Sequence, residues 1–191
     1  IAGLRMQQRD PLLSDADAVA ERRLAENWQA YYEQLDRPRR AWADLLLRHE
    51  WHQFWTLTFR AHCESAAGGV HPEAADKAFR FFVSNINREL HGPRWAKKEH
   101  GGVVWARGQE FHRSGRIHFH AVAAHPEADL NSLMRRLSWM DFWFKHYGIA
   151  RIEPPDSQGD VAGYICKYAT KGGEVDLSPN FGRKQPPSLF S

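Results

Sequence analysis

Residues 103–124 read VVWARGQEFHRSGRIHFHAVAA, two apolar and β-branched runs on either side of the polar, glycine-bearing Arg113-Ser114-Gly115. Runs of this kind separated by a short glycine-containing turn predict a β-hairpin, with strands over about Val103–Gln109 and Ile117–Ala124. A three-residue loop at Arg113-Ser114-Gly115, with glycine in the left-handed position, sets the register. His112 then faces Arg116, Glu110 faces His118 and Gly108 faces His120. Side chains alternate along a strand, so His118 and His120 emerge together while Phe119 points the other way. Facing residues share a side of the sheet, which adds Glu110 to the two imidazoles. Two histidines and a carboxylate on one face suit a divalent cation with positions left for water or a phosphate oxygen. The register carries the whole reading, because a two-residue turn would set Phe111 against His118 and disperse the trio. A His-x-His strand could also be a half-exposed pair without chemistry. A nucleotide hydrolase of the histidine-triad type would want a third alternating histidine, and position 122 is Val.

Outward from the hairpin, Phe54-Trp55-Thr56-Leu57-Thr58-Phe59 is β-branched and aromatic and predicts a strand. Pro72 opens a predicted helix to about Leu90, with Phe79, Phe82, Val83, Ile86 and Leu90 on one face and Gly92-Pro93 as its stop. Beyond the hairpin, Pro126 is expected to begin a helix whose apolar side carries Leu130, Leu133, Met134, Leu137, Met140 and Phe144, closing at Gly148. Ile149–Glu153 follows as a strand, stopped by Pro154-Pro155. Asp160 to about Lys171 reads as a helix ended by Gly172-Gly173. In the first quarter, Ser14 is a candidate N-cap with Asp15 and Asp17 in the first turn. The helix it opens carries Val19, Leu24, Trp28, Tyr31, Tyr32 and Leu35. Arg37-Pro38-Arg39 breaks it before a second short helix around Trp42, Leu45 and Leu46.

The order strand, helix, hairpin, helix, strand, helix predicts an α+β domain: a central antiparallel β-sheet flanked by helices, with an N-terminal helical appendage. The expected organisation is an arm and helical appendage over 1–50, the main domain over 51–175 and a loose tail over 176–191. The chain has 191 residues, 42% of them hydrophobic and 26% charged, enough for a buried core. Cys63 and Cys166 are the only cysteines, so no disulfide framework holds the fold, and a cytoplasmic setting is expected. No apolar run reaches the roughly 18 residues a membrane span needs. A net charge of +3 permits nucleic acid without requiring it. Eight tryptophans suggest core first and base-stacking platforms second.

The second constellation is Tyr164-Ile165-Cys166-Lys167-Tyr168-Ala169-Thr170-Lys171. On a helix, Tyr164 and Tyr168 share a face, and Lys167 and Lys171 each follow a tyrosine by three, so Tyr-x-x-Lys occurs twice in tandem. A phenol ionises at about pH 10 unless a nearby cation favours the phenolate. Such a pair can act as a covalent nucleophile set or be an amphipathic surface.

Trp55-Thr56-Leu57-Thr58-Phe59, then His118-Phe119-His120, then the Tyr-x-x-Lys helix, in that order, resemble the three motifs of the HUH endonucleases, whose fold is ferredoxin- or RRM-like. More narrowly the chain resembles the nuclease domain of rolling-circle replication initiators (Rep proteins), in the two-tyrosine branch that includes phage gene A proteins. The motifs span about residues 54–173. The resemblance implies His118 and His120 as ligands of Mg²⁺ or Mn²⁺, with Glu110 as the third. It implies Tyr164 and Tyr168 as nucleophiles and Lys167 and Lys171 as their helpers at the phosphate. Where one-tyrosine relatives can hold a glutamate four residues before the nucleophile, this chain has Tyr164, which makes Tyr168 the safer single choice.

The implied activity is nicking and rejoining of single-stranded or locally melted DNA at a replication origin through a 5′-phosphotyrosine. A transposase or mobilisation relaxase would use the same chemistry. A reading of another class is a DNA-binding module with a vestigial metal site. No helicase motif is visible, so a host helicase is an expected partner. Arg107, Arg113, Arg116, Lys97 and Lys98 lie near the hairpin in sequence and are candidate phosphate contacts, with solvated surface charge as the alternative.

Overall fold

The structure is a computed structural model that describes residues 23, 26–27, 29–30, 32–60, 70–99, 101–111, 116–159, 163, 165 and 175–182. The chain forms two compact units, Ile1–Asp36 and Arg37–Ser191. In the first, described positions from Arg23 to Glu33 are helical, and Gln29 donates to Glu33 one turn on at 2.9 Å. Ser14 lies outside the described residues.

The second unit begins with α1 (Arg37–Leu46), the short helix expected around Trp42, so the break between units falls at Asp36 rather than at residue 50. Its remaining elements are β1 (Gln53–Phe59), α2 (Pro72–His91), β2 (Val104–Phe111), β3 (Ile117–Ala124), α3 (Leu133–His146), β4 (Gly148–Glu153) and β5 (Val175–Leu177). The five strands form one antiparallel sheet in the order β4-β1-β3-β2-β5. The α+β architecture is the one predicted, and β1-α2-β2-β3-α3-β4 has the split βαβ arrangement in which β3 lies between β1 and β2. β5 comes from residues assigned to a loose tail. Three residues carry no readable period, and the strand exists because the edge of β2 offers it a ladder, Ala106↔Leu177 to Gly108↔Val175.

Each helix end has a local cause. At α2, the His71 side chain accepts from Glu73 N, Pro72 supplies a first-turn residue that needs no donor, and Gly92 at φ 75° turns the chain out. Phe79, Phe82, Val83 and Ile86 bury the predicted face against Trp55, Leu57 and Phe59 of β1 and Phe119 of β3. Each such side chain contributes roughly 1.5–3 kcal/mol. The second long helix departs from expectation. It starts at Leu133, not Pro126, because the intervening turn satisfies its own backbone: His125 Nδ1 accepts from Glu127 N and Ala128 N, and Asp129 accepts from Asn131 N. It also packs through a different face. Trp139 and Trp143 are buried, whereas Leu133, Met134, Leu137 and Phe144 are exposed. α3 is apolar on two sides, and the tryptophans, with more area to bury and an indole N–H each, take the core. Trp143 Nε1 donates to Thr58 O at 3.2 Å and Trp139 Nε1 to Glu89 at 2.8 Å.

α2 and α3 cover one face of the sheet. On the other, Val104, Ala106, Val122 and Ala124 are buried, while Thr58, Glu110 and His118, nearer the hairpin loop, stay partly open. Gly148 pairs with Phe59 so closely that a Cβ there would lie 2.0 Å from Thr58 O. Gly148→Ala must therefore push β4 off β1, and a loss of about 1–3 kcal/mol in a urea titration is expected.

Candidate metal centre

The hairpin has the register deduced from its sequence: Gly108↔His120, Glu110↔His118 and Phe111↔Ile117. β1 continues it on the other side of β3, with Thr56↔His120 and Thr58↔His118. Glu110, His118, His120, Thr56 and Thr58 therefore share one face of three adjacent strands, opposite the face that carries the helices.

The side chains are held in different ways. His120 is buried and His118 is partly open. The His120 ring lies nearly parallel to Phe54, with centroids 6.1 Å apart. His118 Nδ1 is 3.0 Å from Thr58 Oγ1, and His120 Nδ1 is 3.4 Å from Thr56 Oγ1. Glu110, directly across from His118, leans diagonally to His120, where its Oε2 stands 3.5 Å from Nε2. That gap is long for a hydrogen bond, yet close to the separation of roughly 3.0–3.5 Å between two donors that each sit about 2.1 Å from a shared cation. Among the described residues no three His, Cys, Asp or Glu side chains close around a single point. Glu110 and His120 form the near pair, and His118 is turned to Thr58. The backbone needs no change for a third donor to join, since His118 is already across the ladder from Glu110. The donor set thus fits a divalent cation, with His118 differing only in how its ring is turned.

The other sequence candidates separate. Tyr164, Lys167, Tyr168, Lys171 and Arg113 lie outside the described residues. Within the same segment Gly163 and Ile165 are helical and buried. Arg116 sits immediately before β3, at the hairpin end where the histidines are. Lys97 and Lys98 do not join them. They form the end of a 3₁₀ turn ahead of β2, six residues and roughly 20 Å of strand from Glu110.

Arg107 is a correction. It faces away from the histidines, into the helix-covered side, and is only 4% exposed. Its guanidinium is 2.9 Å from Asp76 on α2 and 3.3 Å from Asp176 on β5. It lies over the rings of Phe79 and Phe119, 4.7 and 4.3 Å from their centroids. Nε and Nη1 find no hydrogen-bond acceptor among the described residues and meet these π faces instead. Arg80 completes the group, 2.8 Å from Asp76 and 2.7 Å from Asp176. Spacing along the chain could not tell this arginine from a phosphate contact, but the two-residue period of β2 could have. Arg107 alternates with Gly108 and Glu110, so it cannot share their face.

Two residues escaped the sequence reading. Arg151 lies opposite Thr56 on β4, on the histidine face, exposed and paired with Glu153 at 2.8 Å. Reading β4 with period two would have put it there. Gln158 has no sequence signature. Its amide accepts from Trp51 N and donates to Trp51 O, both at 2.7 Å, tying the chain after β4 to the residue that leads towards β1.

The model of the replication-associated protein ORF2 family matches residues 52–173, well over half of the chain. The chain belongs to that family. Its role is therefore in replication, at initiation. No curated protein and no solved structure matches the chain. The match begins one residue before β1 and takes in the hairpin and the tyrosine segment. Among the described residues no helix is long and apolar enough to cross a membrane.

The Arg107 cluster has a testable pH signature. Burial alone would raise the Asp76 carboxyl, but the hydrogen bond from Arg80 and the charges of Arg107 and Arg80 outweigh it and hold Asp76 below the usual carboxylate range. A carboxyl depressed in the folded state stabilises fully above its unfolded value of about 3.9, and that contribution is lost as pH falls through the folded value. Asp76→Asn should remove this part of the acid-induced loss below about pH 4 in thermal melts. Arg107→Met should cost on the order of 2 kcal/mol, since Asp76 and Asp176 keep Arg80 and are partly solvated. Its affinity for single-stranded DNA should match that of the unsubstituted protein.

Proposed function

We propose that this family member is a metal-dependent, single-stranded DNA endonuclease and strand transferase that nicks a replication origin through a 5′-phosphotyrosine, starting and ending rolling-circle replication. The observation that carries the reading is the hairpin register, which sets Glu110, His118 and His120 on one open face of a replication-associated domain. A divalent cation, Mg²⁺ or Mn²⁺, bound by these three would supply positive charge and polarisation at a phosphodiester oxygen. The chain's own groups do the rest. Tyr168 or Tyr164 attacks phosphorus through its phenolic oxygen, forming the Oη–P bond as the P–O3′ bond breaks, and the 3′ oxygen leaves as a hydroxyl after taking up a proton. Lys171 and Lys167 favour the phenolate and offset charge on the phosphate in the transition state. The diester energy is kept in the phosphotyrosine, so the reverse attack by a 3′-OH reseals DNA without a nucleotide cofactor. Two tyrosines four residues apart allow one to cut while the other still holds a strand. Arg113 and Arg116, at the loop end of the hairpin, and Arg151 on β4 are the cations that would meet the DNA backbone. A host helicase would expose the single strand.

Incubation with single-stranded oligonucleotides and Mn²⁺, followed by denaturing electrophoresis and mapping of the modified residue, tests this reading. His120→Ala should abolish cleavage with the fold retained. Tyr164→Phe and Tyr168→Phe should each keep some cleavage, Tyr168→Phe being the more damaged, and the double variant should form no adduct. A covalent adduct in the double variant would move the nucleophile elsewhere. Binding without any adduct in the unsubstituted chain would leave a DNA-binding module.

A further inference from the structure

We infer that Thr56 and Thr58 are positioning residues for this centre, accepting the Nδ1 protons of His120 and His118 and so presenting the two Nε2 lone pairs to the cation. The inference rests on the reading of Glu110, His118 and His120 as one metal set. It names two residues of β1 that belong to none of the ligand, nucleophile or phosphate-contact roles above.

The geometry is specific. Thr56 pairs with His120 and Thr58 with His118 across the β1–β3 ladder, so each hydroxyl sits beside its own imidazole. The Oγ1–Nδ1 distances are 3.4 and 3.0 Å. A threonine hydroxyl can donate or accept, and a neutral imidazole carries one proton on either nitrogen. The far nitrogen decides the direction. His120 Nε2 faces the Glu110 carboxylate at 3.5 Å. Once a cation takes that lone pair, the remaining proton is on Nδ1, where Thr56 Oγ1 can accept it. The same holds for His118 and Thr58. An imidazole whose second N–H is accepted in this way is fixed in tautomer and orientation and is a better ligand, worth typically 10- to 100-fold in metal affinity. Phe54, lying against the His120 ring, limits the other way that ring could turn.

The alternation Thr56-Leu57-Thr58 admits a rival explanation. Threonine is a good strand former, and a half-buried face accepts it for that reason alone. The two accounts rank substitutions in opposite order. Valine keeps the β-branch and removes the hydroxyl, whereas serine keeps the hydroxyl and gives up strand propensity. If the residues only build the strand, valine is harmless and serine harmful. If they position the histidines, the order reverses.

The test is Mn²⁺ binding by the full chain, followed by calorimetry and by the electron paramagnetic resonance of free Mn²⁺. Thermal melts run in parallel, and histidine ¹⁵N spectra are taken with Mg²⁺. Thr58→Val should weaken Mn²⁺ binding about 10- to 100-fold with an unchanged or higher melting temperature. Thr56→Val, starting from the longer contact, should lose less. Thr58→Ser and Thr56→Ser should bind within about threefold of the unsubstituted chain, since the accepting oxygen stays. In Mg²⁺ the unsubstituted chain should show His118 and His120 with the proton on Nδ1, and the valine variants should lose that uniform signature. Thr58→Val binding as the unsubstituted chain does, or Thr58→Ser failing as Thr58→Val does, would overturn the inference. An unsubstituted chain that binds no Mn²⁺ would overturn the metal reading itself, a failure distinct from either of these.

Discussion

β3 is hydrogen-bonded on both sides, to β1 and to β2, and the register of those two ladders is the constraint on which the rest depends. One set of alternate residues, Ile117, Phe119, Ala121 and Ala123, builds the core under α2 and α3. The other set presents His118 and His120. A slip of one residue would bury both imidazoles among phenylalanines and tryptophans and turn Phe119 to solvent. The core therefore protects the register, and the register aligns the site. Nothing in the site has to be stable by itself.

The same logic explains the Arg107 group. An arginine on the covered face of β2 would be costly if it stood alone. Two carboxylates from separate elements, Asp76 on α2 and Asp176 on β5, make it tolerable, and two aromatic faces take the rest of its surface. It thereby joins the helix, the central strand and the edge strand through one side chain. This is a structural use of charge, distinct from the open face where Arg116 and Arg151 remain partly or fully solvated.

How much the sequence revealed follows from how local each determinant is. The hairpin register was legible because loop length and strand period fix it within sixteen residues, Gly108 to Ala123. Helix α2 was legible because cap, stop and apolar stripe agree. Helix α3 was not, because Leu133, Leu137 and Phe144 offer a stripe as regular as that of Trp139 and Trp143, and only packing against β1 chooses between them. The early start expected at Pro126 failed because His125 and Asp129 satisfy that backbone with side chains. β5 and Gln158 were invisible for a common reason: each is defined by a partner far away in sequence, Ala106–Gly108 for one and Trp51 for the other. Within the site, Glu110, His118 and His120 could be brought to one face from spacing alone. The hydroxyls beside them required the β1–β3 ladder.

The two-way hydrogen bond between the Gln158 amide and the Trp51 backbone imitates one rung of a β-ladder using a side chain. On the proposed mechanism the DNA end hangs from a tyrosine a few residues beyond Gln158. Pulling on that strand would load the polypeptide between the tyrosine and the sheet. With Gln158 clasping Trp51, the load passes into the start of the central sheet before it reaches Pro154-Pro155 and β4. The joint then works as a strain relief, like the clamp where a cable enters its housing. Tension from a moving replication fork would fall on two short hydrogen bonds and not on the ladder that aligns the histidines.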